Sequence, residues 1–278
     1  MKKFLFLVLA VLMCGQAFAT EKDINDRDIF LSTPSEVELP IIMYHLITER
    51  PKYIGKYGVT PAELEEDLIF LKESGYTTVT MTEVINFVEN GVALPQKPIV
   101  LTFDDGNTSD HSFLLPLLEK YDMRAVIAII GDATDKYTAE RPEGKYPNLT
   151  WRQVKELHES GYVEVQSHGY NIHGKLGGGK RKGETAEAYQ SRLIQDLQKL
   201  QDLCKQHLDY MPNTFIYPLG IVSEGSRAVL ENIGILASLG CEEGVNVLQY
   251  NNRNCLFQMH RYNRPSGESV ASIIARVL

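Results

Sequence analysis

Residues 98–106 read PIVLTFDDG, and this stretch decides the fold class. Its first six residues, Pro98–Phe103, form the apolar run that is typical of a buried strand. Asp104 and Asp105 follow directly, and burying two carboxylates is costly unless they bind something. Successive strand residues face opposite sides, so both acids reach one site only where the strand has ended and Gly106 lets the backbone bend. A solvated Asp-Asp-Gly turn is the alternative interpretation.

Outward from this stretch, strand-like apolar runs alternate with amphipathic helical patterns. Repeated βα units predict a mainly parallel sheet. About seven such units in roughly 240 residues without a linker favour one domain, an α/β protein with a single distorted (β/α)7-type barrel. An open doubly wound sheet is the alternative, but no glycine-rich phosphate-binding turn follows the first predicted strand, Leu39–Leu46. Functional sites of barrels lie at the carboxyl ends of the strands, where Asp104 and Asp105 stand.

Capping signals place several helix starts. Thr60 and Thr150 each precede a Glu or Gln by three residues, which predicts a capping box at both positions. Thr82 is expected to cap a further helix that runs to about Asn90. Near the carboxyl end, Leu256–His260 is expected to form a strand.

Residues 1–19, MKKFLFLVLAVLMCGQAFA, have the pattern of a secretory signal peptide. Two lysines precede the apolar run Phe4–Met13, and Ala17–Ala19 forms a cleavage signal. A membrane span needs about 20 apolar residues, and this run is half that length. A lipoprotein acylated at Cys14 is the alternative. We expect export to the periplasm, the cell envelope or the medium, with no transmembrane segment in the mature protein.

Residues 20–37 are polar and aperiodic, and we interpret them as a leader before a folded domain at 38–278. The whole chain carries 28 basic and 36 acidic residues, a net charge of -8. Removal of the two signal-peptide lysines leaves 26 basic and 36 acidic residues, a net charge of -10. No basic excess is available to neutralise phosphates, so a nucleic-acid partner is not expected.

An odd number of cysteines remains after export. Cys14 leaves with the signal peptide, and Cys204, Cys241 and Cys255 remain. At most one internal disulfide can form, and Cys241 with Cys255 is the favoured pair because the loop between them is short. The chain has no C-x-x-C motif, which argues against a thiolate zinc site.

A second polar cluster follows the predicted strand Val163–Gln166. It reads SHGYNIH and contains His168 and His173, five residues apart. On a helix this spacing turns the two side chains about 140° apart, and on a strand they face opposite sides, so they converge only in a loop. With a carboxylate from another strand end they form a set of two imidazoles and one carboxylate. That set suits zinc and leaves coordination positions open for water and substrate.

Four motifs together resemble the polysaccharide deacetylases of carbohydrate esterase family 4, which have the NodB homology fold. They are TFDDG at 102–106, the histidine pair at 168–173, FIYPLG at 215–220 and IIMYH at 41–45. The resemblance covers roughly residues 38–265. The early MYH element is similar to the circularly permuted branch, which includes deacetylases of poly-N-acetylglucosamine. The resemblance implies that 38–278 is a polysaccharide deacetylase catalytic domain.

The resemblance implies a metal centre. Asp105, His168 and His173 would hold a divalent ion, zinc in the first instance, with cobalt or nickel as alternatives. Asp104 would be the general base toward the attacking water. The usual histidine motif of the family has a spacing of four and a Ser or Thr after its first histidine, whereas this chain has a spacing of five and Gly169. One hydroxyl that could support the metal ligands is therefore missing.

The remaining roles also follow from the resemblance. His45 would be the general acid toward the leaving amine, and His260 is a rival candidate. The backbone N–H of Tyr217 would help to stabilise the oxyanion. Arg261 resembles an arginine that orients the catalytic aspartate, and Ile216 stands where many unpermuted members have their arginine.

The implied function is a secreted metal-dependent hydrolase that removes N-acetyl groups from a polysaccharide of N-acetylglucosamine type. An O-acetyl esterase of an acetylated glycan and a non-catalytic glycan-binding relative are the alternatives. Poly-N-acetylglucosamine, chitin oligomers and peptidoglycan stay open as the acetylated polysaccharide, and the sequence does not indicate an oligomeric state.

Overall fold

The computed structural model describes residues 36–140 and 147–277. The predicted signal peptide at 1–19 and most of the predicted leader lie outside the described residues. The first described strand begins at Glu36, so Glu36 and Val37 belong to the folded domain and not to the leader.

The strands of the described residues are short and spread over the whole domain. They are β1 (Glu36–Leu39), β2 (Ile41–Tyr44), β3 (Leu46–Ile47), β4 (Gly58–Val59), β5 (Thr77–Thr78), β6 (Pro98–Phe103), β7 (Ala125–Ile129), β8 (Val163–Ser167), β9 (Thr214–Ile216), β10 (Ala237–Leu239), β11 (Asn246–Gln249) and β12 (Tyr262–Asn263).

Most of the helices lie between successive strands. They are α1 (Pro61–Glu73), α2 (Met81–Asn90), α3 (Leu115–Tyr121), α4 (Gly131–Ala139), α5 (Trp151–Glu159), α6 (Ala186–Leu208), α7 (Ser226–Asn232) and α8 (Val270–Val277). A π-helical turn, Asp110–Leu114, precedes α3. Among these helices of the described ranges, none combines the length and the apolar character that a bilayer span requires.

The main sheet has the strand order β10-β9-β8-β7-β6-β2-β12, and β5 pairs with the start of β6. Its strand pairs are parallel. The two edge strands of this order are β10 and β12. Strand β12 pairs with β2 through Tyr262 and Ile42, and Met259, just before β12, bridges to Leu239 of β10. The sheet therefore curls into a distorted barrel with flanking helices, and the predicted fold class is confirmed.

The two-residue period of the strands sorts their side chains into two layers. On β6, Leu101 and Phe103 pack outward against the helices, whereas Val100 belongs to the apolar cluster inside the barrel. The hydroxyl of Thr102 also faces inward, where it accepts a hydrogen bond from Arg261. On β6 the polar groups therefore begin toward the carboxyl end of the strand.

Helix α2 closes the amino-terminal end of the barrel, and its apolar side chains share a cluster with the inward strand residues. Glu164 on β8 accepts hydrogen bonds from Met81 N–H at 2.8 Å and Thr82 N–H at 3.1 Å. The prediction that Thr82 caps this helix is wrong, because Thr80 forms the capping box with Glu83. Thr80 and Glu83 have the same Thr-x-x-Glu spacing as Thr60 and Glu63, so the local capping-box pattern already indicated Thr80 as the cap.

The carboxyl-terminal region corrects a second prediction. Leu256–His260 does not form a strand, because Arg253–Leu256 forms a 3₁₀ turn and Met259 makes a single bridge to β10. Strand β11 precedes this turn and pairs antiparallel with β1. The polar and apolar residues of this region alternate too irregularly for its short strands to be predicted.

All three described cysteines are free thiols, so the favoured Cys241–Cys255 disulfide is not formed. The sulfur of Cys255 lies 3.0 Å from the carbonyl oxygen of Asn252, within the 3₁₀ turn. The sulfur of Cys241 instead lies 3.6 Å from Nη2 of Arg261. Loop length favoured the pairing, but the backbone holds the two thiols against different neighbours.

Glu63 links the start of α1 to the loop before α8. Its carboxylate accepts hydrogen bonds at 2.8 Å from Thr60 N–H, Ser266 Oγ and Gly267 N–H. Partial burial opposes ionisation of Glu63, but the bonds from Thr60 and Gly267 outweigh it and lower the pKa to about 2. This carboxylate therefore stabilises the fold in its ionised form.

We expect Glu63→Gln to lower the free energy of unfolding at pH 7 by roughly 1–3 kcal/mol, because a charged acceptor of four hydrogen bonds, the fourth from Thr60 Oγ1, is lost. The folded pKa lies below the ordinary 4.5, so the contribution is complete above about pH 5 and disappears as the pH falls toward 2. Urea unfolding at pH 7, 4 and 3 measures the difference. Glu66→Gln on the exposed face of the same helix is the matched control. If the difference in the free energy of unfolding between E63Q and the wild type is the same at all three pH values, the prediction is contradicted.

Candidate active site

Three polar side chains directly follow the ends of parallel strands. His45 follows β2, Asp104 follows β6 and His168 follows β8. The last residues of β2 and β6, Tyr44 and Phe103, are register partners, and their rings stack outward with centroids 4.7 Å apart. The residue after each strand therefore faces inward, because side chains alternate along a strand. These side chains point to one region above the barrel interior.

The backbone bends sharply at the second aspartate. Asp105 and Gly106 have φ values of 76° and 65°, both in the left-handed region. A Cβ at Gly106 would lie 3.0 Å from Cγ2 of Ile129, so glycine is needed for this close approach. The side-chain amide of Asn148 donates to the Asp105 carbonyl oxygen at 2.7 Å and holds the bend. The bend predicted from the sequence exists, and it begins at Asp105 itself.

Asp105, His168 and His173 come together, with one ligand atom from each within 4.8 Å of the others. Oδ1 of Asp105 lies 3.2 Å from Nε2 of His173 and 3.6 Å from Nε2 of His168. Within the described chain this buried oxygen accepts no well-directed hydrogen bond. A buried carboxylate oxygen that faces two imidazole nitrogens in this way fits a divalent cation.

The orientation of His168 supports the same interpretation. Its Nδ1 lies 2.8 Å from the carbonyl oxygen of Ile216, and a carbonyl only accepts, so Nδ1 carries the hydrogen. Nε2 then presents a lone pair toward Asp105, which is the arrangement of metal-binding histidines. Burial lowers the pKa of His168 and favours the neutral imidazole that binds metals.

Asp104 is held by a buried arginine. Nη1 and Nη2 of Arg261 donate to the two carboxylate oxygens of Asp104 at 2.7 and 2.9 Å. Nε of Arg261 donates to Gly240 O at 2.7 Å, so the guanidinium is fixed at both ends. Burial alone would raise the pKa of Asp104, but the Arg261 guanidinium holds it well below its usual range. Asp104 is therefore ionised at neutral pH and rigidly oriented.

The contact between Arg261 and Asp104 depends on barrel closure. Arg261 lies between Met259, which bridges to β10, and Tyr262, which pairs with β2. The chain crosses the gap between the two edge strands at this point, and the fully buried side chain of Arg261 reaches Asp104 from there.

Of the two histidines considered as acids, His45 lies at the site. Its Nε2 is 4.0 Å from Oδ2 of Asp104, and the ring of Tyr57 packs on it with a centroid distance of 4.8 Å. Nδ1 of His260 lies 3.3 Å from Glu242 O, and His260 is not among the described residues that line the pocket. The geometry therefore favours His45.

The backbone N–H of Tyr217, to which the resemblance gives the oxyanion role, is engaged within the sheet. This N–H donates to Leu239 O at 3.0 Å and continues the ladder between β9 and β10. The Tyr217 side chain is buried, and its hydroxyl pairs with Ser226 Oγ at 2.9 Å. Two residues further on, Leu219 lines the pocket in a left-handed conformation with φ of 59°. Strand pairing, which the motif does not encode, removes the Tyr217 N–H from the site.

The site opens into a pocket of about 850 Å³. Its walls include Leu219 from the FIYPLG motif and four residues that the sequence did not identify, Tyr53, Tyr57, Asn107 and Asn148. Asn107 directly follows TFDDG and could have been found by extending that motif. Tyr53 and Tyr57 lie on the loop between β3 and β4, and no spacing rule links them to His45. A pocket of this size accommodates a small-molecule ligand or one unit of a larger one.

A sequence model of the family described as polysaccharide deacetylase matches residues 91–238, just over half of the chain. The matched range contains Asp104, Asp105 and both metal-site histidines, whereas His45 and Arg261 lie outside it.

A poly-beta-1,6-N-acetyl-D-glucosamine N-deacetylase of Escherichia coli O157:H7 is 28% identical over 228 residues. The alignment covers 73% of this chain but 34% of that relative, so the chain spans about a third of its length. An enzyme of the same name from Staphylococcus aureus strain MSSA476 is 22% identical over 264 residues, with 87% of each chain covered.

The solved structure of a de-N-acetylase from Aggregatibacter actinomycetemcomitans has a TM-score of 0.73. It is 22% identical, and the match covers 86% of this chain and 99% of that one. At this identity the match establishes the fold.

Proposed function

Because the chain belongs to the polysaccharide deacetylase family, we propose that it is a metal-dependent N-deacetylase of a polymer of N-acetylglucosamine. The observation that carries the proposal is the convergence of Asp105, His168 and His173 beside the buried Asp104–Arg261 pair. The names of the Escherichia coli and Staphylococcus aureus relatives support poly-β-1,6-N-acetylglucosamine as the polymer. The pattern of residues 1–19 supports export, with the folded domain from Glu36 onward as the catalytic domain.

Amide hydrolysis needs an activated water, a stabilised oxyanion and a protonated leaving nitrogen. Asp105, His168 and His173 would hold a divalent ion, with zinc as the first candidate, and this ion would supply Lewis-acid activation of the attacking water and of the acetyl carbonyl. Asp104 then acts as the general base, because it is ionised and lies next to the metal ligand Asp105. Arg261 keeps both carboxylate oxygens of Asp104 fixed, so the base does not need to reorient during the reaction.

His45 is the proposed general acid toward the leaving amine. His45 lines the pocket with its Nε2 4.0 Å from Oδ2 of Asp104, and an imidazole is the side chain that most often serves as a general acid. The Tyr217 N–H is bonded within the sheet, so we assign the stabilisation of the oxyanion to the turn at Leu219 instead. Leu219 is the residue of the FIYPLG motif that lines the pocket. Each of the three requirements of amide hydrolysis is then met by a residue or ligand set at one pocket.

The test is acetate release by the purified mature protein from a panel of glycans. We expect release from poly-β-1,6-N-acetylglucosamine, a decrease of at least about 100-fold after chelation, and recovery with zinc, cobalt or nickel. Chitin oligomers, peptidoglycan and acetylated xylan complete the panel. The metal content of the purified protein, about one ion per chain, is an independent measurement.

Each alternative gives a distinct outcome in this panel. Release from acetylated xylan alone would indicate an O-acetyl esterase. Binding of a glycan without release of acetate, in the presence of added zinc, cobalt and nickel, would indicate a non-catalytic relative and contradict the proposal.

A further inference from the structure

The loop between the two metal-site histidines departs from the usual family pattern at Gly169. This glycine has a φ of 86°, which side-chain-bearing residues rarely adopt. A Cβ at this position would lie 2.4 Å from Cγ1 of Ile172 and 3.1 Å from Oδ1 of Asp196. A Ser or Thr is therefore excluded by both conformation and space, and the loop needs another polar support.

Asp196 on α6 provides such a support. Its Oδ1 accepts a hydrogen bond from Tyr170 N–H at 2.7 Å, and its Oδ2 accepts one from Asn171 N–H at 2.7 Å. Two successive peptide groups between His168 and His173 are thus fixed by one carboxylate. Hydrogen bonds to an ionised acceptor are about twice as strong as neutral ones, and the paired arrangement fixes direction as well as distance.

Helix α6 is a rigid platform for Asp196. It is 23 residues long, and Leu193, Leu197 and Leu200 on the same helix are buried. A side chain on this helix is therefore placed by the packed core and not by the loop that it holds.

The amino-terminal end of α4 holds the same loop by donating hydrogen bonds to carbonyl groups of the loop. Gly131 N–H donates to Gly169 O at 3.1 Å, and Asp132 N–H donates to Tyr170 O at 2.9 Å. The loop lies between two helices, with its carbonyls bonded to α4 and its N–H groups bonded to Asp196.

The two histidines differ in what orients them. The ring of His168 is buried and bonded to Ile216 O, directly after β8. His173 lies at the far end of the loop, with 28% of its side chain exposed. The backbone conformation of residues 169–172 therefore determines where His173 lies relative to the other ligands.

We propose that Asp196 is a positioning residue of the metal site. By accepting the N–H groups of Tyr170 and Asn171 it sets the turn at residues 169–172 that brings His173 to the same ion as His168. The inference rests on the proposed function, because it takes the three-residue ligand set to be a metal site. Asp196 touches neither the ion nor the substrate, and it acts through the loop.

The test compares Asp196→Asn and Asp196→Ala with the wild-type mature protein. Asparagine keeps the shape of the side chain but offers an N–H group to one of the two loop donors. We expect the affinity for Zn²⁺, measured by competition with a chromophoric chelator, to fall by roughly 10–100-fold in Asp196→Asn and further in Asp196→Ala. Asp202→Asn, an exposed acid on the same helix, is the matched control and keeps wild-type affinity.

A second measurement separates positioning from folding. The visible spectrum of the cobalt-loaded protein at saturating Co²⁺ reports ligand geometry, and we expect it to change in both Asp196 variants and to be unchanged in Asp202→Asn. The melting temperature of the metal-free Asp196→Asn protein should stay within a few degrees of the wild type.

The possible outcomes are distinguishable. Wild-type affinity and an unchanged cobalt spectrum in both Asp196 variants would overturn the inference and leave the proposed function intact. If neither variant folds without metal, Asp196 is needed for folding, and this result would also overturn the inference. A wild-type protein that binds neither Zn²⁺ nor Co²⁺ would instead remove the proposed metal site.

Discussion

Replacing Asp104 with asparagine is expected to lower kcat for acetate release by about 10²–10⁴-fold while the protein keeps its metal ion. Asparagine has the size of aspartate but accepts no proton, so the proposed general base is lost. The ligands Asp105, His168 and His173 are untouched by the substitution. Acetate release at saturating substrate, together with the metal content of the same preparation, measures both parts of the prediction.

The stability of this variant needs a separate control. The Arg261 guanidinium would remain fully buried without its opposing charge, and breaking a buried ion pair costs about 3–5 kcal/mol. The double variant Asp104→Asn with Arg261→Met also removes the unpaired charge. We expect it to recover part of the lost stability and none of the activity. Wild-type turnover in either variant would exclude Asp104 as the base.

Replacing His168 with alanine is expected to abolish both metal binding and acetate release. The imidazole of His168 is one of three ligands, and its Nδ1–H bond to Ile216 O fixes the ligand direction. With two ligands left, metal content should fall from about one ion per chain to near zero, and added zinc should not restore turnover. Elemental analysis of the dialysed protein and acetate release with added metal give the two readouts.

His45→Gln is the matched comparison, because it removes the other strand-end histidine of the same pocket without touching the ligand set. We expect this variant to retain its metal and to lose most of its turnover. Full metal content in His168→Ala, or metal loss in His45→Gln, would contradict the assignment of ligands.

The sequence predicted which acids and histidines come together, because they stand directly after strand ends. TFDDG and SHGYNIH each place polar residues directly after a buried strand, and parallel strands end on one edge of the barrel. The period of two along a strand then determines that Asp104 and His168 face the interior. Neither step needs a contact between distant residues.

Two expectations changed where a distant residue decides the outcome, because the Tyr217 N–H donates to Leu239 O and Cys241 faces Arg261 instead of Cys255. In both cases a contact from another element engages the group concerned. The Thr82 prediction instead missed a local signal, because Thr80 and Glu83 have the capping-box spacing.

The sequence by itself determined the alternation of strands and helices, the acids and histidines at the strand ends, and the bend after β6. These follow from side-chain periodicity and backbone preference, which act over a few residues. Only the tertiary structure decided that Arg261 reaches Asp104 across the barrel closure, that His45 faces the pocket while His260 does not, and that Asp196 holds the histidine loop. Those contacts join residues far apart in the chain, and their formation depends on how the sheet curls and the helices pack.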